Sequence, residues 1–381
     1  MKKNIVCIVG TRPEAIKLAP IILALKKQPW VRLTVIATAQ HREMLDGVLE
    51  LFKIRADIDF NIMKIDQQLS QLTADLLSQL DQAFLKLRPD AVLAQGDTTT
   101  LLASALACFY RHIPFAHIEA GLRAGNTFPE EINRVLTSHL TTWHFAATKS
   151  SKQNLLRENF PSGKIYITGN TIVDSLYLMS KKKLPHKIAL DKTKRIVLVT
   201  THRRESFGKP LLDICKSVKK LVNTFSDIQV VFPVHPNPNV NKIVYKQLSS
   251  HPRILLCEPV TYGEFVSLMK QSYLIITDSG GIQEEAPALR KPVLVLRNQT
   301  ERHEGLSAGI SKLVGTSEEK IFKEASKILS SSSLYKKITA KAGTLYGDGR
   351  AAERIVKILK KELLKHPSKK LGRVGIEPTT R

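Results

Sequence analysis

Residues 5–27 read IVCIVGTRPEAIKLAPIILALKK. The apolar run at 5–9 is too short for a signal-peptide core, and no small-residue cleavage site follows it, so it reads as a buried strand. Gly10-Thr11-Arg12-Pro13-Glu14 ends the run, and residues 13–27 read as a helix. Strand, polar turn and helix in that order set the pattern for the whole chain.

The pattern repeats outward from there. Strands are expected at 33–37, 91–94, 115–118, 145–147 and 165–167, with helices at 43–52, 69–87, 99–110, 130–141 and 149–158. A basic, Pro-containing stretch at 181–194 interrupts the alternation and reads as a linker. The alternation then restarts, with strands at 196–199, 230–233, 254–256, 274–277, 293–296 and 313–314. Strands separated by helices imply parallel, doubly wound sheets. The fold class is therefore α/β, with two Rossmann-like domains over 1–180 and 195–350 and a cleft between them. A final helix within 351–366 is expected to cross back onto the first domain. Residues 367–381 lack periodicity and are expected to form a disordered tail.

At 381 residues the chain is long for one core and natural for two. No apolar run approaches the ~20 residues that span a bilayer, and without a targeting segment the expected compartment is the cytoplasm. Cys7, Cys108, Cys215 and Cys257 lie in apolar segments without metal or redox spacing, so reduced, buried thiols are expected. The formal charge of +24 comes largely from scattered Lys. With no nucleic-acid motif beside it, it reads as a solvated basic surface that helps capture an anionic substrate.

In open α/β sheets, ligands bind beyond the carboxyl ends of the strands. The residues found there are polar: Gly10 to Glu14, Gln95-Gly96-Asp97-Thr98, Glu119 to Arg123, Thr201-His202-Arg203-Arg204-Glu205, His235-Pro236 and Asp278-Ser279-Gly280-Gly281. Ser279-Gly280-Gly281 opens a helix after a strand, where backbone N–H groups favour a phosphate. As a bare tripeptide it reads equally as a turn and helix cap. Arg12, His202 and Arg302 add cationic or donor groups. No GxGxxG follows the first strand and no GxxxxGK[ST] occurs, which argues against the usual dinucleotide and P-loop readings. His41, His202 and His235 have no His or Cys partner at ligand spacing, so no metal is expected. Asp97 and Glu119 end hydrophobic strands, a costly place for a charge unless it is paired or used. Arg123 and Arg134 are the candidate partners. Glu130, after Pro129, reads on position alone as an ordinary helix-start acid.

Together these segments resemble the non-hydrolysing UDP-N-acetylglucosamine 2-epimerases. The matching stretches are GTRPEAIKLAP at 10–20, TAQHREMLD at 38–46, QGDTTTLLA at 95–103, HIEAGLR at 117–123 and PEEINRVLT at 129–137. They continue with GNTIVDSL at 169–176, THRRESFG at 201–208, PVHPNPNV at 233–240, DSGGIQEEAPALRKPVLVLR at 278–297, TERHEGLSAG at 300–309 and YGDG at 346–349. The resemblance implies the two-domain architecture of the glycogen-phosphorylase-like glycosyltransferases, with the site in the interdomain cleft. It also implies reversible C2 epimerisation of UDP-GlcNAc to UDP-ManNAc without a cofactor. UDP would leave to give 2-acetamidoglucal, then add back as C2 is reprotonated on its other face. Two faces at one carbon call for more than one acid/base group.

Carried over by position, Asp97, Glu119 and Glu130 form that acid/base set, and His202 stabilises the departing diphosphate. Arg12, Ser279, Gly280 and Gly281 resemble phosphate contacts, Glu285 a ribose contact, Phe265 a uracil neighbour and Arg302 a further nucleotide contact. Lys17, Arg123 and His235 complete the expected substrate contacts. Gln40, His41 and Arg204 sit in segments that form a second, regulatory UDP-GlcNAc site in some bacterial members. A homodimer is implied, with no nucleic-acid or membrane partner. Two departures stand out: the loop between Glu119 and Pro129 is short, as in relatives acting on UDP-diacetamido-uronic acids, and Thr201 stands where Gly is common. A glycosyltransferase or a nucleotide-sugar-binding protein of similar architecture are the alternatives from other classes. Neither has an evident need for three acids in the first domain.

Overall fold

The computed structural model describes residues 2–38, 42–63, 67–125, 128–182 and 188–365. The tail at 367–381, residues 183–187 of the linker stretch, Gln40, His41 and the side chain of Arg204 lie outside the described part. Thirteen strands are found among the described residues, in two wholly parallel sheets. The first holds β1 (Lys3–Val9), β2 (Val31–Ala37), β3 (Ile58–Asp59), β4 (Ala91–Gln95), β5 (Phe115–Ala120), β6 (Trp143–Ala146) and β7 (Ile165–Ile167), in the order β3-β2-β1-β4-β5-β6-β7. The second holds β8 (Arg195–Thr200), β9 (Ile228–Pro233), β10 (Ile254–Cys257), β11 (Ser272–Thr277), β12 (Val293–Val295) and β13 (Ser311–Leu313), in the order β10-β9-β8-β11-β12-β13.

These are two Rossmann-like sheets. Ile5 to Val9 are all buried, as a continuous apolar run requires when helices cover both faces of a parallel sheet. Strand order reverses between β1 and β4 and again between β8 and β11, and such a switch point opens a crevice at the carboxyl ends.

Two local differences from the sequence expectation matter. The edge strand β3 pairs only Ile58 with Ile36 and Asp59 with Ala37, which is too short to leave an alternation signal. β5 runs on to Ala120, and its register against β6 shifts between Ile118 and Ala120. Glu119 therefore lies inside a strand irregularity, with φ of 67°, rather than at a plain strand end. A bulge re-aims the side chain it carries, and the left-handed backbone of a non-glycine residue costs about 1–3 kcal/mol.

The halves are joined through the helix Thr171–Ser180. It packs on the helix Arg12–Lys26 of the first half and on Tyr262–Gln271 and Ile282–Ala288 of the second. The last helix, Ala351–Lys365, returns to lie on Arg12–Lys26 and Thr171–Ser180. Its Ile355 and Leu359 are fully buried there, each contributing about 1.5–3 kcal/mol by leaving water. No described helix is long and apolar enough to cross a membrane.

Candidate active site

At the first switch point, Glu14 ties two strand-end turns together. Its carboxylate accepts the amides of Gly10 (2.7 Å) and Thr11 (2.9 Å), and on its other oxygen the hydroxyl of Thr98 (2.5 Å). Burial pushes its pKa up to about 7 against these bonds. One helical turn on, Lys17 reaches across to Glu119, with Nζ at 2.8 and 2.6 Å from the two carboxylate oxygens. Asn170 donates to one of these oxygens (2.8 Å) and Gln95 to the other. Burial acts to raise the Glu119 pKa, but the charges of Lys17 and Arg302 overcome it and hold the group below its ordinary range. The partner of Glu119 is thus Lys17, not Arg123 or Arg134, and Lys17 is committed to that pair.

Asp97 stands nearer the surface, with 29% of its side chain exposed against 6% for Glu119. Arg134 grips it through Nη2 (2.5 Å) and Nε (3.1 Å), as one of the two expected pairings. Arg123, expected among the substrate contacts, forms a two-pronged pair with Glu158 at 2.7 and 2.6 Å. Glu130 opens the helix Glu130–Leu140, yet the hydrogen bonds at this helix start are made by its neighbour, to the preceding loop and to Arg134. Glu131 accepts from the Ala124 amide (2.9 Å) and from Arg134 (2.8 Å). Among the described residues no side-chain hydrogen bond or ion pair engages Glu130, so its acid is not consumed as a cap.

At the second switch point Asp278, fully buried after β11, organises the turn after β8. It accepts the amides of His202 and Arg203, each at 3.0 Å, and the Ser206 hydroxyl at 3.1 Å. It also faces His202 Nδ1 at 2.8 Å. One ring nitrogen of His202 is thereby fixed, while 45% of the side chain stays open. Burial and then the nearby His202 lower the pKa of His235, so the two imidazoles are neighbours.

Glu285 is buried, accepts the Tyr262 hydroxyl at 2.7 Å, and is pushed up to about 7 by that burial. Lys17 and Arg12 of the first half lie within its electrostatic reach. Tyr262 also stacks on Phe52 of the first half, with ring centroids 6.3 Å apart. Phe265 sits half-buried one turn further along the same helix.

Arg302, expected to reach the nucleotide, is held by acids of the second half. It is buried, with Nε on Glu284 at 2.9 Å and Nη1 on Glu301. A Cβ added to Gly280 would lie 2.9 Å from its guanidinium carbon. A side chain there would push the Arg302 guanidinium away from its acids, since Arg302 packs directly on the Ser279-Gly280-Gly281 turn.

The fold therefore gathers Arg12, Lys17, Glu119, Glu285 and Arg302 from both halves. It sets Asp97 at the switch point of the first sheet and His202 at that of the second. Sequence reasoning passed over Glu14, Gln95, Asn170, Tyr262, Asp278 and Glu284 as site residues. Most lie in the motif stretches quoted above; their side-chain pairings leave no spacing signal.

The family described as UDP-N-acetylglucosamine 2-epimerase matches residues 23–360. The UDP-N-acetylglucosamine 2-epimerase of Escherichia coli (strain K12) is 47% identical over 370 residues, covering 94% of this chain and 98% of the relative. The crystal structure of the Neisseria meningitidis UDP-GlcNAc 2-epimerase bound to UDP-GlcNAc superposes with a TM-score of 0.88 at 45% identity, covering 94% of this chain and all of that one. The Methanocaldococcus jannaschii enzyme in complex with UDP-GlcNAc and UDP gives 0.80 at 35% identity, over 94% and 99%. On sequence and on fold alike, this chain belongs to the UDP-N-acetylglucosamine 2-epimerase family.

Proposed function

We propose that the chain interconverts UDP-GlcNAc and UDP-ManNAc by eliminating UDP and adding it back, as a cytoplasmic homodimer that needs no metal or nicotinamide. The observation that carries this reading is the set of acids at the first switch point, set against His202 fixed by Asp278 at the second. The C2 hydrogen is not beside a carbonyl, so its loss is coupled to departure of UDP from C1. Asp97, Glu119 and Glu130 serve the two faces of C2. Glu119, ionised and bonded on both oxygens, enters the cycle as a carboxylate: it has no proton to donate in this arrangement, and it acts as a base only as one of its donors gives way. His202 meets the charge that develops on the departing diphosphate. Arg12 and the turn at Ser279, Gly280 and Gly281 hold the phosphates, Glu285 the ribose, and Phe265 lies by the uracil. Enclosure between the halves keeps the glycal from water.

A second substrate, a related UDP-diacetamido-uronic acid, is favoured by the short loop before Pro129. That loop borders a cleft of about 510 Å3 whose lining includes Arg123, Arg297 and His303; Arg123 and Arg297 are already paired with Glu158 and Glu301, so a substrate carboxylate would have to compete for them. Incubation in deuterium oxide tests both. Deuterium at C2 with UDP-ManNAc formed from UDP-GlcNAc supports the first reading, and exchange with the uronate alone supports the second. No exchange with either UDP-GlcNAc or the uronate refutes epimerisation.

A further inference from the structure

We propose that Asn170 is a positioning residue for Glu119, holding that acid in register with the second half through a shared bond to Glu284. The inference rests on the epimerase reading above. Asn170 is 2% exposed and stands at the head of the helix Thr171–Ser180, where the two halves meet. Its Oδ1 accepts the Ile172 amide at 3.1 Å, which caps the helix and fixes which way the side-chain amide points. Its Nδ2 then carries two hydrogens, and each goes to a carboxylate: Glu119 of the first half at 2.8 Å and Glu284 of the second.

The backbone is pinned as well. The Asn170 amide donates to the Tyr346 carbonyl at 2.6 Å. The Tyr346 hydroxyl donates to the Arg302 carbonyl (3.2 Å) and accepts the Gly305 amide (2.9 Å). A Cβ on Gly347 would come within 3.3 Å of the Asn170 nitrogen, so the YGDG segment lies directly on this residue. Both carboxylates bonded by Asn170 are thus referred to one rigid point.

The residue type is specific. A cap that also gives two hydrogens to two acids must be short, must accept on one atom and must donate twice from another; asparagine alone does this without adding charge. Aspartate keeps the cap and the shape but has no donor when ionised. Serine keeps the cap but is too short to bridge.

The test compares Asn170→Ser and Asn170→Asp with the wild-type chain, measuring kcat and KM for UDP-GlcNAc, UDP affinity and melting temperature. A positioning role predicts a fall in kcat of about tenfold or more in the serine variant, and at least as much in the aspartate variant, with KM and UDP affinity within about threefold. A kcat equal to wild type in Asn170→Ser overturns the proposal. So does loss of folding or of UDP binding in step with kcat in both variants, since that marks a purely structural residue. A wild-type chain without C2 exchange sinks the epimerase reading itself. An active wild type with unimpaired variants sinks only this inference.

Discussion

Glu119 and Glu284 are both buried glutamates and both accept from the amide of Asn170, yet they are driven in opposite directions. Burial acts to raise each pKa. At Glu119, Lys17 spends its ammonium on the two oxygens of this one acid, and the pKa is held below the ordinary 4.5. At Glu284, the Arg302 guanidinium is divided with Glu301, the Glu119 charge repels, and the pKa stays raised. Depth is alike at the two acids; direct hydrogen-bonded pairing with Lys17 at Glu119, and repulsion by the Glu119 charge at Glu284, separate their ionisation. The contrast also gives the halves different parts: a charged acid in the first, facing a polarised, proton-retaining scaffold in the second.

The comparison breaks most visibly if Lys17 is removed. Lys17→Met leaves Glu119 buried and unpaired, and should destabilise the chain by about 3–5 kcal/mol in urea unfolding. The double variant Lys17→Met/Glu119→Gln should recover much of that stability without activity. If it recovers none, Lys17 acts through packing and the charge argument falls. Next in size, Glu119→Gln should lower C2 exchange on the order of 10²-fold or more, the usual range for an acid/base group. Glu284→Gln should lower it less than tenfold, because it alters only the scaffold. Equal losses would erase the distinction between the two acids.

The smallest effect is in pH dependence. The Glu119 pKa is depressed, so its contribution to stability is present above the ordinary 4.5 and is lost as pH falls below that value. The Glu284 pKa is raised, so its contribution is present below 4.5 and is lost as pH rises. Glu284→Gln should therefore flatten the fall of melting temperature from about pH 5 to pH 8. It should leave the acid limb as in the parent. At 2–4 °C per kcal/mol this is about a few degrees. An unchanged alkaline slope would show that Glu284 titrates as an ordinary carboxylate.

Much of this molecule is legible in its local sequence. The run at 5–9, the break at Gly10 and the helix that follows are local signals, and their repetition gave the α/β class and the order of elements. Asp97, Glu119, His202 and the Ser279-Gly280-Gly281 turn were visible as polar residues at strand ends. Less visible are the protein partners of Arg123 and Arg302, which are Glu158 for the first and Glu284 with Glu301 for the second. A sequence shows that a cation is present without showing which anion it meets first. Glu130 and Glu131 are a sharper case, since adjacent acids at a helix start are equivalent on paper. Only the rotation of the helix decides that Glu131 meets the Ala124 amide and Arg134 while Glu130 is left uncommitted.

The sequence by itself determined the alternation of strands and helices, the family and the acids available for chemistry, because hydrophobic period and motif order are written locally along the chain. Only the tertiary structure decided which acid is charged and how the halves are tied. Asn170 lies 51 residues from Glu119 and 114 from Glu284, and ionisation follows from burial and partners in space, neither of which leaves a spacing to read.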